Sequence, residues 1–271
     1  MTQRSTLVFS HANGFPGGSY RTFLKPFEAL YDVHVVDRLG HNADYPVDAH
    51  WASLADELEA QLAVLPHPLV GMGHSMGGVL MFLVASRRPE WFKALIMLDP
   101  PLVLGMQGLL FNTARWLGQI DRVSPAGRSK HRRSRWPDRA EAEAYFGRRP
   151  FFQRFDPRCL ADYLAAGLEA VPVSETDVQE GAGALRLRYA PEVEVAVFRT
   201  TPGNIGRVPR LRVPGLMVSG AESEPSFRLS ARRHVKRHGM VYRLAPGGHM
   251  FPLEQPEAAA DIILEGLQDL S

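Results

Sequence analysis

Between two apolar runs, Pro68–Met72 and Val79–Ala85, the chain carries Gly73-His74-Ser75-Met76-Gly77-Gly78. A G-x-S-x-G pattern flanked in this way is that of a nucleophile elbow. A serine on a sharp strand-to-helix turn is forced into sparsely allowed backbone angles, and only glycine-sized neighbours leave room for such a turn. Ser75 Oγ is then expected to stand exposed above the sheet edge. The following helix starts at the same place, so its first N–H groups, that of Met76 foremost, are offered to a developing oxyanion. A glycine-rich βα turn with an incidental serine fits the same six residues, and the rest of the chain has to separate the two.

The pattern around the turn predicts an α/β fold. Strands are expected at 7–10, 33–37, 69–73, 94–98, 215–219 and 240–244, and helices near 20–30, 51–65, 79–88 and 254–270. Alternation of this kind gives a doubly wound, mostly parallel sheet of about six strands, with its site at the strand C-terminal ends. The stretch 103–207 breaks the rhythm and shows helical patches at 138–146 and 159–168 without clear strands. It is expected to form a helical cap inserted after the fifth strand, over a core of 1–102 and 208–271. At 271 residues with 45% hydrophobic content, one core with a large insertion is the natural size.

The single cysteine, Cys159, excludes an intramolecular disulfide, and no Cys/His spacing of the zinc type occurs, so no metal is expected. No apolar run approaches membrane-spanning length, and the start, Met1–Ser5, carries no long apolar stretch; a soluble, cytoplasmic protein without a membrane partner is expected. A formal charge of +2 is too mild to imply nucleic acid. Arg128, Lys130, His131, Arg132, Arg133, Arg135 and Arg139 do cluster, and read as a solvated face that could attract anionic substrates. The apolar segment Leu102–Phe111 is compatible with an acyl pocket or with ordinary packing of the cap.

A serine hydroxyl needs a base, itself oriented by a third group. His249, in Gly247-Gly248-His249-Met250-Phe251-Pro252, follows the last predicted strand and completes a chain order of serine, acid, histidine. Three carboxylates compete for the acid: Glu222 and Glu224 in the turn after strand 215–219, and Asp99 in Leu98-Asp99-Pro100-Pro101, at the tip of the preceding strand.

With these loops in hand, the chain resembles the α/β-hydrolase superfamily, in its lid-bearing esterase and lipase-like branch, over nearly its whole length. Ser10-His11-Ala12-Asn13-Gly14-Phe15-Pro16, the GHSMGG elbow, LDPP and the segment Gly247–Pro256 carry the resemblance. It implies Ser75 as nucleophile, His249 as base and the loop after the first strand as the second half of an oxyanion hole. That half is assigned to Asn13, with Ala12 and Phe15 as alternatives, because Ala12-Asn13 interrupts the usual His-Gly-x-Pro loop. Where the family places aspartate in a G-x-x-D turn, this chain has Ser223, and similarity to a Ser-Asp subgroup ranks Glu224 first, Glu222 second and Asp99 third. His11, Phe15 and His74 are candidate substrate contacts. The lead-in hairpin before the first strand is expected to be missing. The implied activity is cofactor-free hydrolysis of a small apolar acyl or aryl ester. Thioester, lactone or carbon–carbon bond hydrolysis with the same triad, or a near-inactive ligand-binding receptor, are the alternatives.

Overall fold

Strand β1, Ser5–Ser10, sends Leu7 and Phe9 to one side and Val8 to the other, and the same period of two splits Ala94, Ile96 and Leu98 from Leu95 and Met97 further along the chain. Both sides are apolar, so both must be covered. In the computed structural model, which describes residues 4–172 and 183–270, β1 is joined by β2 (Tyr31–Val35), β3 (Leu69–His74) and β4 (Phe92–Leu98). Residues 1–3, residues 173–182 of the expected cap and Ser271 lie outside the described residues. After the insertion come β8 (Gly215–Gly220) and β9 (Val241–Ala245), and the order across the sheet is β2-β1-β3-β4-β8-β9, with every neighbouring pair parallel. Helices Ala52–Ala63, Met76–Arg87 and Pro225–His238 cover one face, and Pro256–Gln268 with the turns around Phe23 and Phe27 cover the other.

Three expectations need correction. The insertion leaves the sheet after its fourth strand in chain order, β4, not its fifth. The insertion is also not purely helical. Besides the helices Met106–Trp116, Arg139–Gly147, Pro157–Gly167 and Pro191–Arg199, it holds a three-stranded antiparallel sheet of β5 (Arg135–Trp136), β6 (Leu168–Ala170) and β7 (Leu185–Leu187), with β7 in the middle. Strands of two or three residues leave no periodicity to read. The predicted helix over 20–30 is instead three short turns, because Pro26 cannot donate to the preceding turn.

The insertion does not sit on the sheet as a separate layer. Trp136, Phe146, Phe152, Phe155 and Tyr163 share one apolar cluster with Phe9 and Phe15 of the β1 region. Val197 and Ile205 share the other with Val8, Leu95 and Met97.

Four histidines are taken fully out of water. The rings of His234 and His238 lie 4.2 Å apart and meet Phe82 edge to face at 4.7 and 5.0 Å, between two helices. Burial lowers His74 and His234 to about 3, and His11 and His238 to about 4. Each folded-state value lies below that of the unfolded chain, so the folded protein binds fewer protons as the pH falls below about 6.5. Stability from these groups is complete above that pH and is lost on acidification towards their folded values. Each one contributes a slope of about 1.4 kcal/mol per pH unit. Urea midpoints measured from pH 7 down to 4.5 are expected to fall steeply, and His234→Leu, which removes one buried imidazole, to flatten the fall. A midpoint independent of pH across that range would contradict this account.

Candidate active site

Ser75 follows β3 with φ 52° and ψ −116°, a conformation that side chains rarely adopt, and its two neighbours in the motif show why it can. A Cβ on Gly73 would lie 2.3 Å from the Gly77 backbone, and one on Gly77 would lie 2.1 Å from the Ser10 carbonyl oxygen. The elbow is therefore pressed against both its own strand and the end of β1. The Ser75 N–H donates to the Leu98 carbonyl at 2.8 Å, and the register of β3 on β4 sets His74 opposite Leu98. The next residues, Ser75 and Asp99, thus leave adjacent strand tips side by side, and Asp99 too has a positive φ, 41°.

His249 lies between them. Its Nε2 is 3.1 Å from Ser75 Oγ, and its Nδ1 is 2.7 Å from Asp99 Oδ2. With the proton on Nδ1 donated to the carboxylate, the Nε2 lone pair faces the serine hydroxyl, the arrangement needed to withdraw its proton. Asp99 is 1% exposed, whereas Ser75 and His249 are half-buried and reachable.

The carboxylate on the imidazole is not the one ranked first from the sequence. Glu224 is exposed ahead of the helix Pro225–His238, where its carbonyl accepts from Phe227 and Arg228. Glu222 is exposed and paired with Arg154 at 2.6 Å. The reason lies in Ser223, the residue at the G-x-x-D position: its hydroxyl is buried and donates to Asp99 Oδ2 at 2.8 Å. The turn after β8 supplies a hydrogen-bond donor, and the carboxylate that meets His249 comes from one strand over. Ser223 was noticed in the sequence only as a departure, although a missing aspartate there is the signal that points to Asp99.

Of the first-turn amides of the elbow helix, those of Gly77, Gly78 and Val79 donate to His11 and Ser75 carbonyls, and the Met76 N–H heads the turn beside Ser75. In the loop after β1, the Phe15 N–H donates to the Ala12 carbonyl and the Ala12 N–H to the Tyr20 hydroxyl. Asn13 differs from both alternatives in being held by its side chain: Asn13 Nδ2 donates to the Glu194 carbonyl at 3.0 Å.

Two of the expected substrate contacts are structural instead. His11 is fully buried, with Nδ1 donating to the Ala12 carbonyl at 2.8 Å and Nε2 accepting from the Leu39 N–H at 3.0 Å. His74 is equally buried. Its Nε2 lies 2.8 Å from the His249 carbonyl, which can only accept, so Nε2 carries the single proton of this neutral ring. Nδ1 then accepts from the Tyr20 hydroxyl at 2.7 Å. A chain of hydrogen bonds thus runs from Ala12 through Tyr20 and His74 to the backbone of His249, joining three loops of the site beneath the nucleophile. Phe15, by contrast, lies among Phe151, Phe152, Phe155 and Tyr163 of the insertion.

The insertion grips two of these loops through charges, among them Arg132, expected from the sequence to lie on a solvated face. Arg154 donates to Glu254 Oε2 at 2.9 Å, and the same oxygen accepts the Gly248 N–H at 2.8 Å, one residue before His249. On the other side, Glu194 sits against Gly14, and its carboxylate is satisfied by Ser129 at 2.7 Å and by Arg132. Arg132 is pushed above the usual guanidinium range by Tyr163 and Glu194 although burial opposes it. Among the described residues no group of three or more His, Cys, Asp and Glu is placed to hold a metal ion, and no helix is long and apolar enough to cross a membrane.

The geometry is matched by known proteins. Residues 7–262 match the model of the alpha/beta hydrolase family. A type I acyl-CoA thioesterase of Penicillium brevicompactum is 34% identical over 182 residues, covering 64% of this chain and 39% of that protein. The chain therefore spans well under half the length of that relative. An abhydrolase domain-containing protein of Alternaria alternata is 28% identical over 237 residues, 75% of this chain and 84% of its own. Among solved structures, E-2-(acetamidomethylene)succinate hydrolase superposes with a TM-score of 0.72 at 16% identity, over 98% of this chain and 92% of that one, a likeness of fold. Six parallel strands in this order, a strained serine at the tip of β3 and a family match running nearly end to end identify the chain as a member of the alpha/beta hydrolase family.

Proposed function

We propose that this hydrolase cleaves small apolar acyl esters or thioesters by acyl transfer to water, with Ser75 as nucleophile, His249 as base and Asp99 as the acid. The observation that carries the reading is the line Ser75 Oγ, His249 Nε2 and Nδ1, Asp99 Oδ2, with separations of 3.1 and 2.7 Å. Ser75 Oγ attacks the carbonyl carbon while His249 Nε2 takes its proton. The oxyanion is received by the N–H groups of Met76 and Asn13, each worth about 3 kcal/mol in the transition state. Collapse expels the alcohol or thiol, which leaves with the proton from Nε2. A water then attacks the acyl-serine, the same nitrogen takes its proton, and the acid departs.

The thioester arm is supported by the similarity to an acyl-CoA thioesterase, and the apolar acyl group by the phenylalanines around Phe15. A receptor that binds without turnover loses its motive, since it rested on a displaced acid and the His249 imidazole has a carboxylate at 2.7 Å. Initial rates on p-nitrophenyl esters and on acyl-CoA thioesters of increasing chain length test the reading directly. Ser75→Ala is expected to abolish hydrolysis of both, and retained turnover in that variant sinks the proposal.

Asp99→Asn is expected to lower kcat about 10⁴-fold, as when the carboxylate of a serine protease triad is neutralised, because the imidazole loses its orienting acceptor. Glu224→Gln and Glu222→Gln are expected to stay within about twofold of wild type, as exposed groups away from the imidazole do. A large loss in either glutamate variant with Asp99→Asn active would reverse the assignment.

Tyr20 and His74 act as positioning residues in the same scheme, holding the backbone of His249 rather than touching substrate. Tyr20→Phe removes the donor to His74 Nδ1 and the acceptor for Ala12, and is expected to lower kcat about tenfold with KM within about twofold. A raised KM at unchanged kcat would instead make Tyr20 a substrate contact.

A further inference from the structure

The helix Met106–Trp116 is turned inside out. Arg115 and Asn112 are turned towards the protein: Arg115 donates to the carbonyls of Arg199 and Thr201 at 2.8 and 2.7 Å, and Asn112 lies against Gly203. Its apolar side chains point the other way, with Met106 at 76%, Leu109 at 67%, Leu110 at 65% and Trp116 at 84% exposure, and Leu117 just beyond also exposed. These positions recur at helical spacing, so they share one face of the helix as a stripe, with exposed Thr113 between Leu110 and Trp116. The expected role of Leu102–Phe111 as an acyl pocket therefore fails for Met106, Leu109 and Leu110. Only Leu102 and Leu104 turn inward, to the core beneath the helix.

The surroundings of the stripe are positive. From Pro100 to Ile120 there is no carboxylate, and between Pro100 and Pro137 one aspartate is accompanied by seven lysines and arginines, of which Arg115 is turned inward and Arg132 and Arg133 are paired with Glu194 and Glu141. That aspartate, Asp121, is tied up by Arg199 at 2.6 and 2.7 Å. Exposed Arg122 and Val123 belong to the turn that folds back on the helix, and exposed Arg128 and Lys130 to the one after it.

We propose that this face seats the protein on an anionic lipid surface, with the stripe entering the acyl boundary and the flanking cations meeting the headgroups. An exposed apolar stripe, a tryptophan at its end and a basic flank are what an interfacial helix needs. A second copy of the chain fits less well, since a two-fold contact over the stripe would bring the two basic flanks together. The expectation of no membrane partner rested on the absence of a spanning run, and lying on a bilayer requires none. The inference is independent of which ester the site hydrolyses.

Flotation of the whole protein with vesicles tests it, comparing phosphatidylcholine alone with phosphatidylcholine containing a minority of phosphatidylglycerol. The wild type is expected to float with the anionic vesicles at least about tenfold better than with phosphatidylcholine, the contribution of two or more headgroup-facing cations. The double variant Leu110→Asp/Trp116→Asp is expected to lose at least about tenfold of that binding, its apolar wedge replaced by charges. Both substitutions lie on fully accessible positions, so hydrolysis of a water-soluble substrate should remain at the wild-type rate and report an intact fold. The proposal is overturned if the wild type stays in the lipid-free fraction, if it binds both vesicle types alike, or if the double variant floats as well as the wild type. It is equally overturned if lipid-free wild type sizes as a dimer that the double variant dissociates, which would give the stripe to a second copy.

Discussion

The register of β3 on β4 is the constraint from which the site follows. Pairing His74 with Leu98 makes Ser75 and Asp99 the first residues past two adjacent strands, and both strand ends are locked by backbone bonds: Ser75 N–H to Leu98, Asp99 N–H to Val218, each at 2.8 Å. A slip of one residue would turn both side chains to the opposite face of the sheet. The alternation of Ala94, Ile96 and Leu98 against Leu95 and Met97 forbids that slip, because each set fills its own apolar layer. Core packing thus fixes the separation of Ser75 and Asp99. The positive φ at both residues is strain held in place by that same over-determined pairing.

Around this fixed pair the imidazole has to be held by loops, which pack less tightly than strands. Two independent sets of contacts hold it. From below, Tyr20 and His74 support the His249 carbonyl through a buried chain in which every proton has one direction to go. From above, Arg154 holds Glu254, and Glu254 holds the Gly248 amide. The second set comes from the insertion, as does the grip of Glu194 on Asn13 and Gly14. Movement of the insertion would therefore disturb the base and the anion-binding loop together. Arg132, enclosed with Glu194 and Tyr163, makes that coupling stiff, since separating a buried ion pair leaves an uncompensated charge.

Much of this was legible in the chain. The six core strands announced themselves because buried parallel strands are continuous apolar runs, and Gly73, Ser75 and Gly77 because a tight elbow admits few residue types. The short strands β5, β6 and β7 were invisible, being too brief to carry a period. The carboxylate that meets His249 was not the one ranked first, for a different reason. Sequence order locates a carboxylate to a loop, but Asp99, Glu222 and Glu224 all occupy loops at strand tips, and only the register says which tip faces the imidazole. His11 and His74 misled in the same manner: a histidine beside a nucleophile reads as chemistry until its two nitrogens are both found bonded within the fold.

The migration of the acid from one strand tip to another is less drastic than it looks. An imidazole needs an acceptor on Nδ1 at a fixed distance and direction, and it is indifferent to the strand from which that acceptor comes. β4 and β8 are neighbours, so a carboxylate at the tip of either can reach the same point. Placing it on β4 leaves the β8 turn free to contribute Ser223, whose hydroxyl donates to the oxygen that also receives the His249 proton. That second donor supports the charge of a carboxylate that is otherwise cut off from water, and it fixes the rotation of the Asp99 side chain. The serine at the G-x-x-D position is therefore the complement of the aspartate at the β4 tip. Either residue, read alone, looks like an anomaly; read together they describe one site with its acid and its donor exchanged between neighbouring strands.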